Sequence, residues 1–216
     1  MSDHRSFFNR RLHSLLGVIP VGFFLVNHLV TNFYATKGAQ AFVNQVNFLW
    51  SIPFILFLEI FLIFLPLLYH GVYGLYVAFL SKNNVASYST LRNIFFMLQR
   101  VTGVITLIFV AWHVWETRIQ KSLQGMSSEE LAEYMHTILS NNFTFALYAI
   151  GVIAAVFHLC NGMWNFLVTW GITVGPRAQY ISTWVWAIVF VAVTYLGISS
   201  LFAFAQPDFL SELAQG

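Results

Sequence analysis

Long stretches of this chain carry no charge, and those stretches define its elements. Between Arg11 and Lys37 there is no Asp, Glu, Lys or Arg. A hydrocarbon core about 30 Å thick needs about 20 such residues at about 1.5 Å each in a helix, which predicts a first span over 12–33. From Gly38 to Ser81 the only charge is Glu59, and the pattern predicts an amphipathic connector followed by a second span over 52–80. A third span, 93–117, contains Arg100. The acidic segment 127–133 separates it from a fourth span, 142–168. Residues 169–179, with Gly171, Gly175 and Pro176, read as a turn, and 181–204 as a fifth span. These runs are continuous, not alternating with period two, and in lipid a helix satisfies its own backbone polar groups. The expected fold is an all-α membrane protein, one integral-membrane domain over 1–216. Its first four transmembrane helices form an up-down bundle and its fifth is peripheral. Arg10 and Arg11 before an apolar run resemble the start of a signal peptide, but the run is too long for one. No internal repeat is visible.

Composition agrees with the spans: 58% of residues are hydrophobic, 8% are charged and mean hydropathy is +0.72. Soluble domains carry about 25% charged residues, so a water-facing globule is excluded. A net charge of +2, dispersed along the chain, leaves no footprint for a nucleic acid. The single cysteine, Cys160, excludes an internal disulfide and covalent haem attachment through CxxCH. Arg5, Arg10, Arg11, Lys82, Arg92, Arg100 and Arg177 fall to one side of the predicted membrane, against Lys37, Arg118 and Lys121 on the other. That bias puts the N-terminus inside and the C-terminus outside in a multi-pass membrane protein.

Four histidines lie inside spans, His28, His70, His113 and His158, one on each of the first four. Intramembrane ionisable groups are costly and point to function. With the spans alternating in direction, His28 lies ~21 Å and His113 ~28 Å from the inner edge, whereas His70 and His158 lie ~15 Å from it. Two layers of two histidines result. In an up-down bundle the members of each layer sit on diagonal helices facing the interior, where cofactors are held. This is the arrangement of two b-type haems, each with two imidazole ligands. Gly74 and Gly162 each follow a histidine by four residues and would clear a helix face for the porphyrin. A di-iron oxygenase would need clustered histidines, and none occur. A transporter, with Glu59 and the breaks at Pro20 and Pro66 lining a pathway, remains open but lacks repeat symmetry.

The strings RLHSLLGVIPVG (ending at Gly22), LEIFLIFLPLLYHGVYG (58–74), LQRVTGVITLIFVAWHVWETRI (98–119) and VTWGITVGPR (168–177) closely resemble one family. It is the single-chain, di-haem cytochrome b anchor of succinate dehydrogenase from Gram-positive bacteria of the Bacillus type, and the likeness runs from about Arg5 to Phe204. The resemblance implies that a flavoprotein subunit carrying FAD and an iron-sulfur subunit dock on the cytoplasmic face. Electrons would pass from the clusters to an inner haem on His70 and His158, then to an outer haem on His28 and His113, then to menaquinone. Succinate oxidation would belong to another chain. Di-haem anchors of other dehydrogenases or reductases share the spacing, but the long matching strings favour succinate dehydrogenase.

Other residues take supporting roles. Anionic propionates favour cations near the membrane faces, making Arg11, His13, Arg92 and Arg100 candidates at the inner haem, with Ser14 as a hydrogen-bond donor. Arg118 and Lys37 are the outer counterparts, with Glu116 as an ion-pair partner of Arg118. Glu59 lies ~10 Å below the outer surface and is the candidate relay for the protons that quinone reduction consumes. His136 and His4 read as solvated.

Overall fold

The computed structural model of the protein describes residues 2–82 and 84–213, with side chains from Ser6 onward. The side chains of His4 and Arg5 thus lie outside the described residues. Five helices are long and apolar enough to cross a membrane: Ser6–Lys37, Ile55–Leu80, Leu91–Gln124, Asn142–Thr169 and Pro176–Phe204. Among the described residues there is no strand. Large apolar side chains point outward on these helices, with Phe23 77% and Phe79 83% exposed, as a lipid-facing surface requires. Several hydroxyls within the spans return to their own backbone, although Thr31, Thr106, Ser182 and Thr194 do not. Thr102 donates to the Leu98 carbonyl and Thr117 to the His113 carbonyl, both at 2.7 Å, which satisfies a polar group where no water is available.

Helix ends differ from the charge-gap boundaries for physical reasons. The third helix continues seven residues past 117 to Gln124, because a span's charged last turns remain helical after the chain leaves hydrocarbon. The fifth begins at Pro176, whose missing N–H needs no partner in a first turn. Gly171 and Gly175, with φ of +71° and +85°, form the preceding turn. Two internal prolines coincide with widened, π-helical turns: Pro20 lies within Gly17–Gly22, and Pro66 follows Glu59–Phe64. A proline removes one helical donor and crowds the carbonyl four residues back, and a widened turn accommodates both effects. These two turns pack against each other. A third, Trp115–Ile119, begins two residues after His113.

The contacts divide the chain into two compact units. The first comprises Met1–Leu25, Leu56–Thr106 and Ala154–Val191. Within it Phe157 packs edge-on against Phe190, and Trp164 Nε1 donates to the Gln179 carbonyl at 3.1 Å, holding the fourth and fifth spans together. The second comprises Val26–Ile55, Leu107–Ile153 and Ala192–Gly216. Here a Cβ on Gly197 would lie 2.6 Å from Val152 and 3.3 Å from Leu29, so this glycine lets the fifth span approach the first and fourth closely.

The second unit also has a small core of its own. The connector is a helix, Ala39–Trp50, that buries Ala39, Phe42, Val43 and Val46. It packs on a second helix, Ser128–Leu139, that buries Ala132, Met135 and Leu139. The segment read only as acidic therefore folds, and its start signal is Ser127-x-x-Glu130. Ser127 Oγ accepts from the Glu130 N–H at 3.2 Å, and the Glu130 carboxylate accepts from the Ser127 N–H at 2.7 Å, a reciprocal capping box. Replacing Ser127 by alanine should cost about 1 kcal/mol. A thermal melt should fall by a few degrees; an unchanged melt would mean that this helix is held by packing alone. His136, expected to be solvated, is instead half-buried, its Nδ1 donating to the Phe204 carbonyl at 2.7 Å. Phe209 is 5% exposed and stacks on the same ring, so residues beyond the fifth span fold back onto this core.

Two candidate histidine sites

In the first unit His70 and His158 face each other with ring centres 6.1 Å apart. Each is fixed from behind by a backbone carbonyl. His70 Nδ1 is 2.9 Å from the His13 carbonyl oxygen, and His158 Nδ1 is 3.0 Å from that of Gln99. A carbonyl only accepts, so both Nδ1 atoms carry the proton and both Nε2 atoms keep a lone pair. His158 Nδ1 also lies 3.2 Å from the Gln99 side-chain nitrogen, which only donates. That nitrogen is already directed at the His158 carbonyl at 3.0 Å, so the ring bond to the Gln99 backbone is the consistent one.

The two halves of this site repeat one local design. Gly17 follows His13 by four residues, and a Cβ there would collide with the His70 ring. Gly103 follows Gln99 by four, and a Cβ there would lie 2.8 Å from the His158 ring. In return, a Cβ on Gly74 would lie 3.1 Å from His13 Nε2 and one on Gly162 would lie 3.3 Å from Gln99 Nε2. Each histidine helix thus accepts a side chain over its glycine and places its own imidazole over the glycine of its partner. Gly74 and Gly162, expected to make room for a porphyrin, make room for His13 and Gln99. Gly17, Gln99 and Gly103 were not singled out from sequence, although the four-residue spacing to His13 and Gln99 was there to find.

His13 stacks on His70, with ring centres 4.1 Å apart and planes 4° from parallel. Ser14 is half-buried beside it. Gln99 is held in turn by Asn161, whose Nδ2 donates to its side-chain oxygen at 2.6 Å. The expected cations lie against aromatic rings: Arg11 between Phe7 and Trp170 at 5.1 and 5.0 Å, Arg92 over Trp164 at 3.5 Å, and Arg100 over Phe96 at 3.5 Å. Arg92 also donates to Thr183 Oγ1 at 2.8 Å. Beside them a cavity of about 280 Å³ is lined by Ser6, Arg10, Tyr73, Tyr76, Ser81 and Lys82, among others. Glu59, half-buried in its widened turn, belongs to this unit and not to that of His28 and His113.

In the second unit His28 and His113 face each other with ring centres 5.7 Å apart. His28 Nε2 is 3.3 Å from Asn32 Nδ2. An amide nitrogen only donates, so this Nε2 carries a lone pair, and that lone pair accepts from Asn32. His113 Nδ1 lies 3.4 Å from Tyr148 Oη, and Tyr148 Oη donates to Glu116 at 3.2 Å. Glu116, expected beside Arg118, has this buried tyrosine as a partner. Arg118 donates to Ser122, while Lys37 lies over Tyr34 at 4.8 Å.

Both pairs fit a b-type haem. With metal–nitrogen bonds of about 2 Å, ring centres 6.1 and 5.7 Å apart would leave room for one iron between the imidazoles of each pair. Among the described residues no three His, Cys, Asp or Glu side chains gather to hold a metal ion unaided. A macrocycle that brings four nitrogens of its own needs only two from the protein.

Comparison with known proteins identifies the family. Residues 82–197 match the family described as succinate dehydrogenase/fumarate reductase transmembrane subunit. The chain is 56% identical over 204 residues to the succinate dehydrogenase cytochrome b558 subunit of Bacillus subtilis (strain 168), covering 94% of this chain and 100% of that one. A permease, open on the histidines alone, is thereby set aside. This membrane-embedded, five-helix chain belongs to the succinate dehydrogenase/fumarate reductase transmembrane subunit family.

Proposed function

We propose that this chain anchors a succinate dehydrogenase in the plasma membrane, with its N-terminus in the cytoplasm. It binds a flavoprotein subunit carrying FAD and an iron-sulfur subunit on that face. His70 and His158 hold an inner b-type haem; His28 and His113 hold an outer one. The observation that carries this is the pairing of histidines in which each inner ring is pinned through Nδ1 while its Nε2 lone pair remains available. When bound, the two haems supply one-electron carriers between the iron-sulfur subunit and menaquinone.

The chain's own residues do the rest. The His13 and Gln99 carbonyls hold the inner imidazoles in one tautomer and one orientation, which raises their basicity as ligands. Gly17 and Gly103 admit those rings against the neighbouring helices. Arg11, Arg92 and Arg100, already oriented on aromatic rings, offer guanidinium groups to propionates near the cytoplasmic side, with His13 and Ser14 beside them. Glu59 hands protons to the quinone. This chain carries quinone reduction and leaves succinate oxidation to its flavoprotein partner.

Two measurements test this. Purified complex should contain two b-type haems per copy of this chain, and succinate should reduce at least one; haem that ignores succinate would assign the anchor to a different dehydrogenase. Glu59→Gln should lower menaquinone reduction about 100-fold and flatten its pH profile while haem content stays at two. An unchanged rate and profile would remove Glu59 from the proton path.

A further inference from the structure

The second ring nitrogens of the paired histidines meet different partners. His70 and His158 donate Nδ1–H to neutral backbone carbonyls. His113 lies against a phenol, and that phenol's own proton goes to a carboxylate, giving a chain from His113 Nδ1 to Tyr148 Oη to Glu116. Because Tyr148 spends its O–H on Glu116, its oxygen lone pair faces His113 and accepts the Nδ1 proton. The surroundings are dry: Tyr148 is 2% exposed, Phe109 stacks on the His113 ring at 5.7 Å, and Trp112 packs edge-on against Tyr148 at 5.1 Å. Hydrogen-bond chains polarise one another more strongly in such surroundings, and charge is poorly screened.

We infer that Tyr148 and Glu116 are positioning residues that set the reduction potential of the haem held by His28 and His113, acting through the His113 imidazole. The inference rests on the di-haem reading above. An acceptor behind Nδ1–H gives the imidazole partial imidazolate character, and a chain ending on a carboxylate strengthens that effect. Stronger donation from Nε2 favours ferric over ferrous iron, so the chain pulls this centre's potential down. The carbonyl acceptors behind His70 and His158 carry no formal charge, so the same substitutions have nothing to alter there. Glu116 lies in the widened turn Trp115–Ile119, two to six residues past His113, and Thr117 donates to the His113 carbonyl there.

The test is a redox titration of both haems in the intact, membrane-derived complex, with optical and electron paramagnetic resonance detection, for wild type, Glu116→Gln, Glu116→Asp and Tyr148→Phe. His113→Leu identifies which signal belongs to this site. Expected are an upward shift of that haem alone in Glu116→Gln and Tyr148→Phe, about tenfold in its reduction equilibrium or about 59 mV for one electron, and a potential near wild type in Glu116→Asp. Two haems bound with neither potential moved, or with both moved equally, overturns the inference while the di-haem reading stands. Wild-type complex with fewer than two haems, or His113→Leu complex that retains both, overturns the reading and the inference with it.

Discussion

Replacing His158 by leucine should remove one haem of two and stop electron transfer from succinate to quinone. In the proposed di-haem arrangement the imidazole is one of only two protein ligands at its site, and it faces His70 at 6.1 Å between ring centres. Leucine is close in volume and apolar, so the helix keeps its packing, while the Gln99 carbonyl that His158 reaches at 3.0 Å keeps the Thr102 hydroxyl as a donor. His28 and His113 lie in the other unit, so the haem proposed there should stay bound. A pyridine haemochrome assay should therefore fall from two haems per chain to one, and succinate-dependent quinone reduction should fall at least 100-fold. Two haems retained in this variant would mean that His158 is not a ligand.

Adding a side chain at Gly17 reaches the same end from the opposite direction. A Cβ at this position would overlap the His70 ring, and the ring cannot simply move aside. Its Nδ1 is tied to the His13 carbonyl at 2.9 Å, and its face is covered by the His13 imidazole at 4.1 Å. Overpacking of this kind costs about 1–3 kcal/mol before the lost hydrogen bond is added. Gly17→Val should thus lose the same haem as His158→Leu, with the five-helix fold and the other haem intact. Gly162→Ala provides the contrast, because its nearest neighbour is the end of the Gln99 side chain at 3.3 Å, which can shift by a few tenths of an ångström. That variant should keep two haems. Equal haem content in Gly17→Val and wild type would show that the close approach is not needed to orient His70.

The five helices were legible because lipid makes one demand that any sequence must meet: about 20 residues without charge per crossing. The pairing of the four histidines was legible for a related reason, since depth in a membrane can be counted at a fixed rise per residue, and the predicted pairs are those that face each other at 6.1 and 5.7 Å. What supports each ring was not legible. The acceptors behind His70 and His158 are backbone carbonyls of His13 and Gln99, and every residue has a carbonyl, so sequence offers no mark of which one is used. Glu116 is expected beside Arg118, and its further partner, the buried Tyr148, comes from another helix and has no mark in the local sequence. The helix Ser128–Leu139 could have been found, since Ser127 and Glu130 have capping-box spacing; attention to charge alone hid it.

The most direct measurement is a dithionite-reduced minus oxidised spectrum of the purified complex, with haem counted per copy of this chain and the response to succinate recorded alongside. Two b-type haems, at least one reduced by succinate, is the predicted result. A chain that carries no haem when purified with its partners would contradict the account, leaving His28, His70, His113 and His158 as structural groups.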